Sequence, residues 1–202
     1  MTFDPLFLLF FAGYLIGSVS TAIITCRLMG LEDPRSSGSN NPGATNVLRI
    51  GGKKAAIITL IGDMLKGLLP VLAVKFFNVD TTIIALVAVG AFLGHLFPLF
   101  FKFKGGKGVA TFFGALIGID WQAGLAALIT WLLIAYLFKY SSLAALLTAI
   151  FSIVYIWFLS GSITLVVACA TMSSLLIWRH TGNIKRLFRG EEDMIGKKKQ
   201  LH

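Results

Sequence analysis

The chain has 202 residues, is 56% apolar, carries a net charge of +9 and has a mean hydropathy of +0.84. A water-soluble domain of this length cannot hide that much apolar surface, so lipid is the solvent for most of it. Two cysteines, Cys26 and Cys169, lie in apolar runs without metal-ligand spacing; they give no disulfide framework and behave as small membrane-buried hydrophobes.

In chain order, apolar runs at 4–29, 53–77, 81–102, 121–138, 142–160 and 162–179 each suit a helix that crosses hydrocarbon. The first has no clean small-residue cleavage site and is expected to be retained. Between the third and fourth lies "GVATFFGALIGI", Gly108–Ile119, apolar but short. Charge decides whether to count it. With seven spans and the N-terminus outside, the cytoplasmic segments are 30–52, 102–107, 139–141 and 180–202. These, with adjoining helix ends, take 16 of the 18 Lys and Arg residues. With six spans, Lys139 and the basic tail could not share a side with Lys53, Lys54 and Lys102. The expected fold is therefore an all-α polytopic membrane protein, residues 1–202 as one domain. It has seven transmembrane helices, one of them short, with the N-terminus outside and the C-terminus cytoplasmic. The spread of basic residues over inner loops argues against nucleic acid, and the tail "KRLFRGEEDMIGKKKQ" is expected along anionic headgroups.

On this topology the polar clusters share one face. They are Ser36–Arg49, Lys102–Gly108 ("KFKGGKG"), Lys139–Ser142 and Arg179–Glu192. "GGKG" joins exposed amides, an ammonium and a helix start, a combination suited to an anion; it lacks the spacing of a Walker A loop. The first cluster adds Gly38 and Gly43 for backbone approach, neutral donors from Ser39, Asn41, Thr45 and Asn46, and the fork of Arg49. Two such loops, each with a cation, favour phosphate over simple turns. Asp63 and Lys66 share a helix face as a structural pair or a cavity lining. His95 and His180 stand at inner helix ends. No carboxylate cluster suggests a divalent metal, no H-x4-D pair is present and no G-x-S-x-G elbow exists. An enzyme here would need an activated substrate, which it would position and stabilise by charge.

"GSNNPGATNVLR", "GHLFPLFFKFKGGKGVAT" and "SSLAAL…RHTGNIKRLFRGEE", in this order, resemble the PlsY family of bacterial membrane glycerol-3-phosphate acyltransferases. The likeness spans most of the chain. It implies acyl transfer from acyl phosphate to the 1-hydroxyl of glycerol 3-phosphate, giving lysophosphatidic acid for phospholipid synthesis. It also implies an inner-membrane location with a cytoplasmic site, and transient contact with the enzyme that makes acyl phosphate. Neither a cofactor nor a metal is expected. By motif, the resemblance gives catalytic roles to Ser142, His180, Lys107 and Arg49. It gives substrate binding to Ser39, Asn41, Gly43, Thr45, Asn46, His95, Gly105, Gly106, Asn183 and Glu192. The family's first motif usually reads G-S-G-N, whereas Asn40 stands here at the second glycine; Asn is the side chain that best tolerates a left-handed backbone. A transporter of phosphate-containing anions is the alternative reading, weakened because only Asp63 and Lys66 lie near the midplane.

Overall fold

A computed structural model of the chain describes residues 5–195, and these contain helices without strands. The elements are α1 (Pro5–Gly17), α2 (Thr21–Leu28), α3 (Ala44–Lys75), α4 (Thr81–Leu96), a 3₁₀ turn (Leu99–Phe101), α5 (Val109–Ile119), α6 (Trp121–Phe138), α7 (Ser141–Ser160), α8 (Ile163–Arg179) and α9 (Thr181–Arg189). Five spans among the described residues are long and apolar enough to cross a membrane, and α8 with α9 makes a sixth if that bent pair is one span. α5 has 11 residues and stays short, as its sequence implies. The lysine-rich end of the tail, residues 197–199, lies outside the described residues.

Three boundaries differ from the sequence reading. The first apolar run is interrupted at Ser18–Ser20, between α1 and α2. The second helix starts at Ala44 instead of after the loop, and bends at Gly52, whose φ of 73° takes the chain out of helical geometry. Arg49 therefore sits on a helix before the bend. Residues 181–189 form α9, bent 57° from α8, where the sequence suggested a loop.

Close helix packing follows from small residues. A Cβ at Gly17 would lie 2.0 Å from the Ala91 carbonyl oxygen, and one at Gly94 2.2 Å from that of Tyr14, so α1 and α4 meet backbone to backbone. At one end of the bundle, Asp120 caps α6 by accepting from the Ala123 N–H at 2.9 Å. Lys75 donates to the Ile119 carbonyl at 2.7 Å, covering the end of α5.

The interior carries one ion pair in the apolar layer. Asp63 and Lys66 are 2.8 Å apart and only 2% and 7% exposed. The Lys66 ammonium also donates to the Val19 carbonyl at 2.8 Å, in the α1–α2 break, where that oxygen has no helical donor. Thr111 of α5 donates to the Asp63 carbonyl at 2.9 Å, and the His95 Nδ1 of α4 faces the Asp63 carboxylate at 3.7 Å. Removing one member of a buried pair strands the other charge, at a cost of about 3–5 kcal/mol. Lys66→Met should thus markedly lower the thermal unfolding midpoint in detergent, and Asp63→Leu in that background should restore much of it. Equal midpoints for wild type and Lys66→Met would show that the pair does not hold the bundle.

Candidate functional site

The polar connections gather at one end of the bundle. Their hub is the Glu192 carboxylate just after α9. Its Oε1 accepts from Ser142 Oγ at 2.7 Å and from Asn183 Nδ2 at 2.6 Å, and its Oε2 accepts from Arg186 Nε at 2.7 Å. Ser142 lies on the first turn of α7 and Asn183 on that of α9, so one carboxylate just after α9 ties that helix to the start of α7. Burial disfavours its charged form, but the donors from Ser142, Asn183 and Arg186 outweigh that and hold its pKa below the usual carboxylate value. Lys107 reaches the same group by donating to Asn183 Oδ1 at 2.5 Å. Its pKa is lowered to about 8, first by burial and then by the nearby Arg186 charge. Arg49 pairs with Asp193 at 3.2 Å. The chain then crosses to the α6–α7 turn, where the Ile195 N–H donates to the Lys139 carbonyl at 2.7 Å.

The "GGKG" loop is held from both sides. Arg179, ending α8, donates to the Gly105 carbonyl at 2.8 Å and to that of Gly106 at 3.2 Å. A Cβ at Gly105 would stand 2.1 Å from the His95 carbonyl, and one at Gly106 2.4 Å from the His95 Nε2. These two glycines serve close packing on the end of α4, in addition to any approach of a ligand to their amides.

Of the residues singled out by sequence, Ser142, Asn183, Lys107 and Glu192 come together, and Arg49 joins through Asp193. His95 lies behind the loop, between Gly106 and Asp63. His180 is buried, with its Nδ1 2.8 Å from the Leu176 carbonyl, at the bend between α8 and α9. Asn46 is spent inside its own loop: its amide donates to the carbonyls of Pro34 at 3.0 Å and Ser37 at 2.9 Å, and its oxygen accepts from the Ser39 N–H at 2.8 Å. The first motif therefore needs an asparagine for loop shape, a role that its donor count alone did not reveal. Ser39 and Thr45 are exposed, while Asn41 and Gly43 are half-buried on the same loop. Asn40, at the position where the motif departs from glycine, has φ 55°, the left-handed backbone expected there. Sequence reading missed Arg179, Arg186 and Asp193 as partners of the site. Each is recognisable only once the segment it touches is known. Among the described residues, no three His, Cys, Asp or Glu side chains converge as metal ligands.

An all-helical bundle of membrane-capable spans with a cationic cluster of asparagine and serine side chains at one end defines a class: integral membrane proteins with a polar site at one end of the bundle. The comparisons name the family. Residues 7–190 match the family described as glycerol-3-phosphate acyltransferase, and the chain belongs to it. It is 56% identical over 186 residues to the glycerol-3-phosphate acyltransferase of Methylococcus capsulatus, covering 92% of this chain and 94% of that one. It is 56% identical over 191 residues to that of Paraburkholderia phytofirmans, covering 93% and 89%. In three dimensions it is similar to the crystal structure of PlsY (YgiH), an integral membrane glycerol 3-phosphate acyltransferase, in its glycerol 3-phosphate form. There the TM-score is 0.90 at 35% identity over 96% of each chain. The lysophosphatidic acid form of that protein gives 0.88 at 34% identity.

Because the Lys107 pKa is lowered, its charge is lost in a range where an ordinary lysine keeps it. If that charge meets substrate phosphate, kcat/KM, which reports the free enzyme, should fall above about pH 8, approaching tenfold per pH unit. Lys107→Arg should remain flat to about pH 10, since guanidinium stays protonated. A wild-type profile flat over the same range would remove the Lys107 charge from binding.

Proposed function

We propose that the chain transfers an acyl group from acyl phosphate to the 1-hydroxyl of glycerol 3-phosphate, releasing phosphate and leaving lysophosphatidic acid in the membrane. The supporting observation is the Ser142–Glu192–Asn183–Lys107 network, fixed by Arg186 and lying beside Arg49, in a chain of this family. It presents neutral and cationic donors for two phosphorylated substrates. It offers no strong base, because a carboxylate held by three donors is stabilised as the anion and is a poor proton acceptor.

In the proposed step the glycerol oxygen attacks the acyl carbonyl carbon and the bond from that carbon to the phosphate oxygen breaks. The leaving phosphate takes the electron pair. A substrate phosphate oxygen, whose second pKa of about 6 lies above that of Glu192, accepts the hydroxyl proton. Ser142 positions the acceptor, while Lys107 and Arg49 offset charge growing on phosphate. His180 holds the α8–α9 bend under Asn183, and His95 backs the glycine loop. The transfer is direct and needs neither metal nor cofactor. The acyl chain lies among the helices.

The topology we infer is seven crossings, counting the broken first span as one and including α5, with the N-terminus outside and the C-terminus cytoplasmic. The protein sits in a bacterial inner membrane with its site facing the cytoplasm, and meets the enzyme that supplies acyl phosphate transiently. The buried Asp63–Lys66 pair, closed by Val19 and His95, is consistent with structure rather than an anion path, which weakens the transporter reading.

Acyl phosphate should serve as donor, whereas acyl-CoA and acyl carrier protein should not, and activity should persist in excess chelator. Lys107→Ala and Arg49→Ala should each lose roughly tenfold to a hundredfold in kcat/KM, from a charge-assisted contact worth about 1.5–3 kcal/mol. Radiolabelled acyl phosphate incubated with the protein alone should leave no acyl group on Ser142; a turnover-competent adduct there would replace direct transfer with a two-step route. A cysteine placed at Ser37 or Thr181 should stay shielded from an impermeant thiol reagent outside intact cells, and labelling of either would overturn the topology.

A further inference from the structure

Two neighbouring carboxylates follow α9, and the structure uses them differently. The Glu192 side chain is 8% exposed and accepts from Ser142, Asn183 and Arg186, so it cannot turn without breaking all three bonds. The Asp193 side chain is 39% exposed, and its ion pair is a 3.2 Å approach to one terminal nitrogen of Arg49, itself 40% exposed. The backbone holds Asp193 in place regardless of that pair. Glu192 anchors the chain on one side of it, and on the other the Ile195 N–H donates to the Lys139 carbonyl at 2.7 Å. Asp193 can therefore turn its carboxylate to water while both anchors stay closed.

Arg49 is the cation that this carboxylate covers. It lies on α3 just before the bend at Gly52, and its charge is close enough to Lys107 to disfavour the protonated ammonium there. It thus stands beside the Lys107–Asn183 group with its guanidinium engaged by an acid of the chain itself. That acid is a weak occupant, because a half-exposed ion pair is loosened by water and salt. A phosphate monoester carries a charge of about −1.5 to −2 at pH 7 and accepts two parallel N–H bonds from one guanidinium. It outcompetes a carboxylate held at one point.

We propose that Asp193 is a built-in competitor for substrate: it occupies Arg49 in the free protein and gives it up to a substrate phosphate group. The inference rests on the acyltransferase reading above, and it makes Asp193 a residue that sets affinity without touching the reacting atoms. Both substrates of that reading carry a phosphate, and the displacement is the same for either. Once displaced, Asp193 is absent from Arg49 in the bound state and in the transition state alike. Its presence therefore raises KM and leaves kcat alone.

Steady-state kinetics of the purified full-length chain in maltoside micelles tests it, with glycerol 3-phosphate and acyl phosphate varied in turn. Asp193→Asn should lower KM about threefold for at least one substrate, the scale of a half-exposed pair, with kcat within about 1.5-fold of wild type. The substrate whose KM falls identifies the phosphate that Arg49 meets. Asp193→Ala, which brings no new donor, should match it. Glu191→Gln removes the same charge at an exposed neighbour and should leave both KM values within about 1.5-fold. Unchanged or higher KM values in both Asp193 variants overturn the competitor. So does a gain confined to Asp193→Asn, which would be a new amide contact, or an equal gain in Glu191→Gln, which would be the general field. A change in kcat at fixed KM also overturns it, by placing Asp193 in the chemistry. No turnover of acyl phosphate by the wild type overturns the acyltransferase reading and the competitor with it.

Discussion

Everything at the polar end of this bundle hangs from an ion pair placed where charge is most expensive. Lys66 and Asp63 face each other within α3, inside a mostly apolar span, with His95 and Thr111 as polar neighbours. The pair is tolerable because each partner is used more than once. The ammonium satisfies the Val19 carbonyl left open by the α1–α2 break, and the carboxylate faces His95. His95 in turn abuts Gly106, and its carbonyl accepts from the Gly106 N–H at 3.3 Å. A chain of contacts thus runs from the first span, through α3 and α4, to the loop that carries Lys107. Helix association in lipid has little hydrophobic drive, so contacts of this kind and glycine-mediated approach carry the burden of registering the helices.

At the other end of that chain Glu192 performs the reverse task. It adds no positive charge; it fixes the donors of the site we propose for phosphate. Ser142 comes from α7, Asn183 and Arg186 from α9, and each would otherwise be free to turn. Orientation of this sort lowers the entropy lost when two substrates meet. It also gives the acids a place in the anion site we propose: Glu192 pairs with Arg186 and Asp193 with Arg49, so the cations do not repel one another unopposed before a ligand arrives.

Hydropathy and charge asymmetry made the spans and the clustering of polar loops legible, because both are imposed by the solvent on every residue alike. The family motifs made Ser142, Asn183, Lys107 and Glu192 legible as a group. What remained hidden depends on partners far along the chain. Arg179 reads locally as a helix-end cation, yet it grips carbonyls of a loop 73 and 74 residues away. Asn46 reads as a phosphate donor, yet its neighbours consume every part of its amide. The break at Ser18–Ser20 has no proline or charge to announce it; it becomes visible only through the lysine that caps it. α9 is nine residues long and mostly polar, and its docking by Asn183 and its neighbours, rather than its composition, makes it a helix.

The shortness of α5 has a consequence for the surrounding lipid. α5 and α6 start from a common corner at Asp120, but at 1.5 Å per residue α5 rises only about 16 Å while α6 rises about 27 Å. On the seven-crossing topology we infer, with α5 alongside α6, the Lys102–Gly108 loop would sit about 11 Å below the top of its neighbour, a well in the membrane rather than a plateau on it. Water following the loop downward would bring aqueous solutes toward the depth at which acyl chains begin. A tailed molecule can then present its polar head in that well by sliding sideways, without being lifted out of the bilayer, and a small ion released there has an open aqueous path upward. Thicker bilayers would deepen the well and thinner ones flatten it, so the composition of the host membrane becomes part of the geometry of the site.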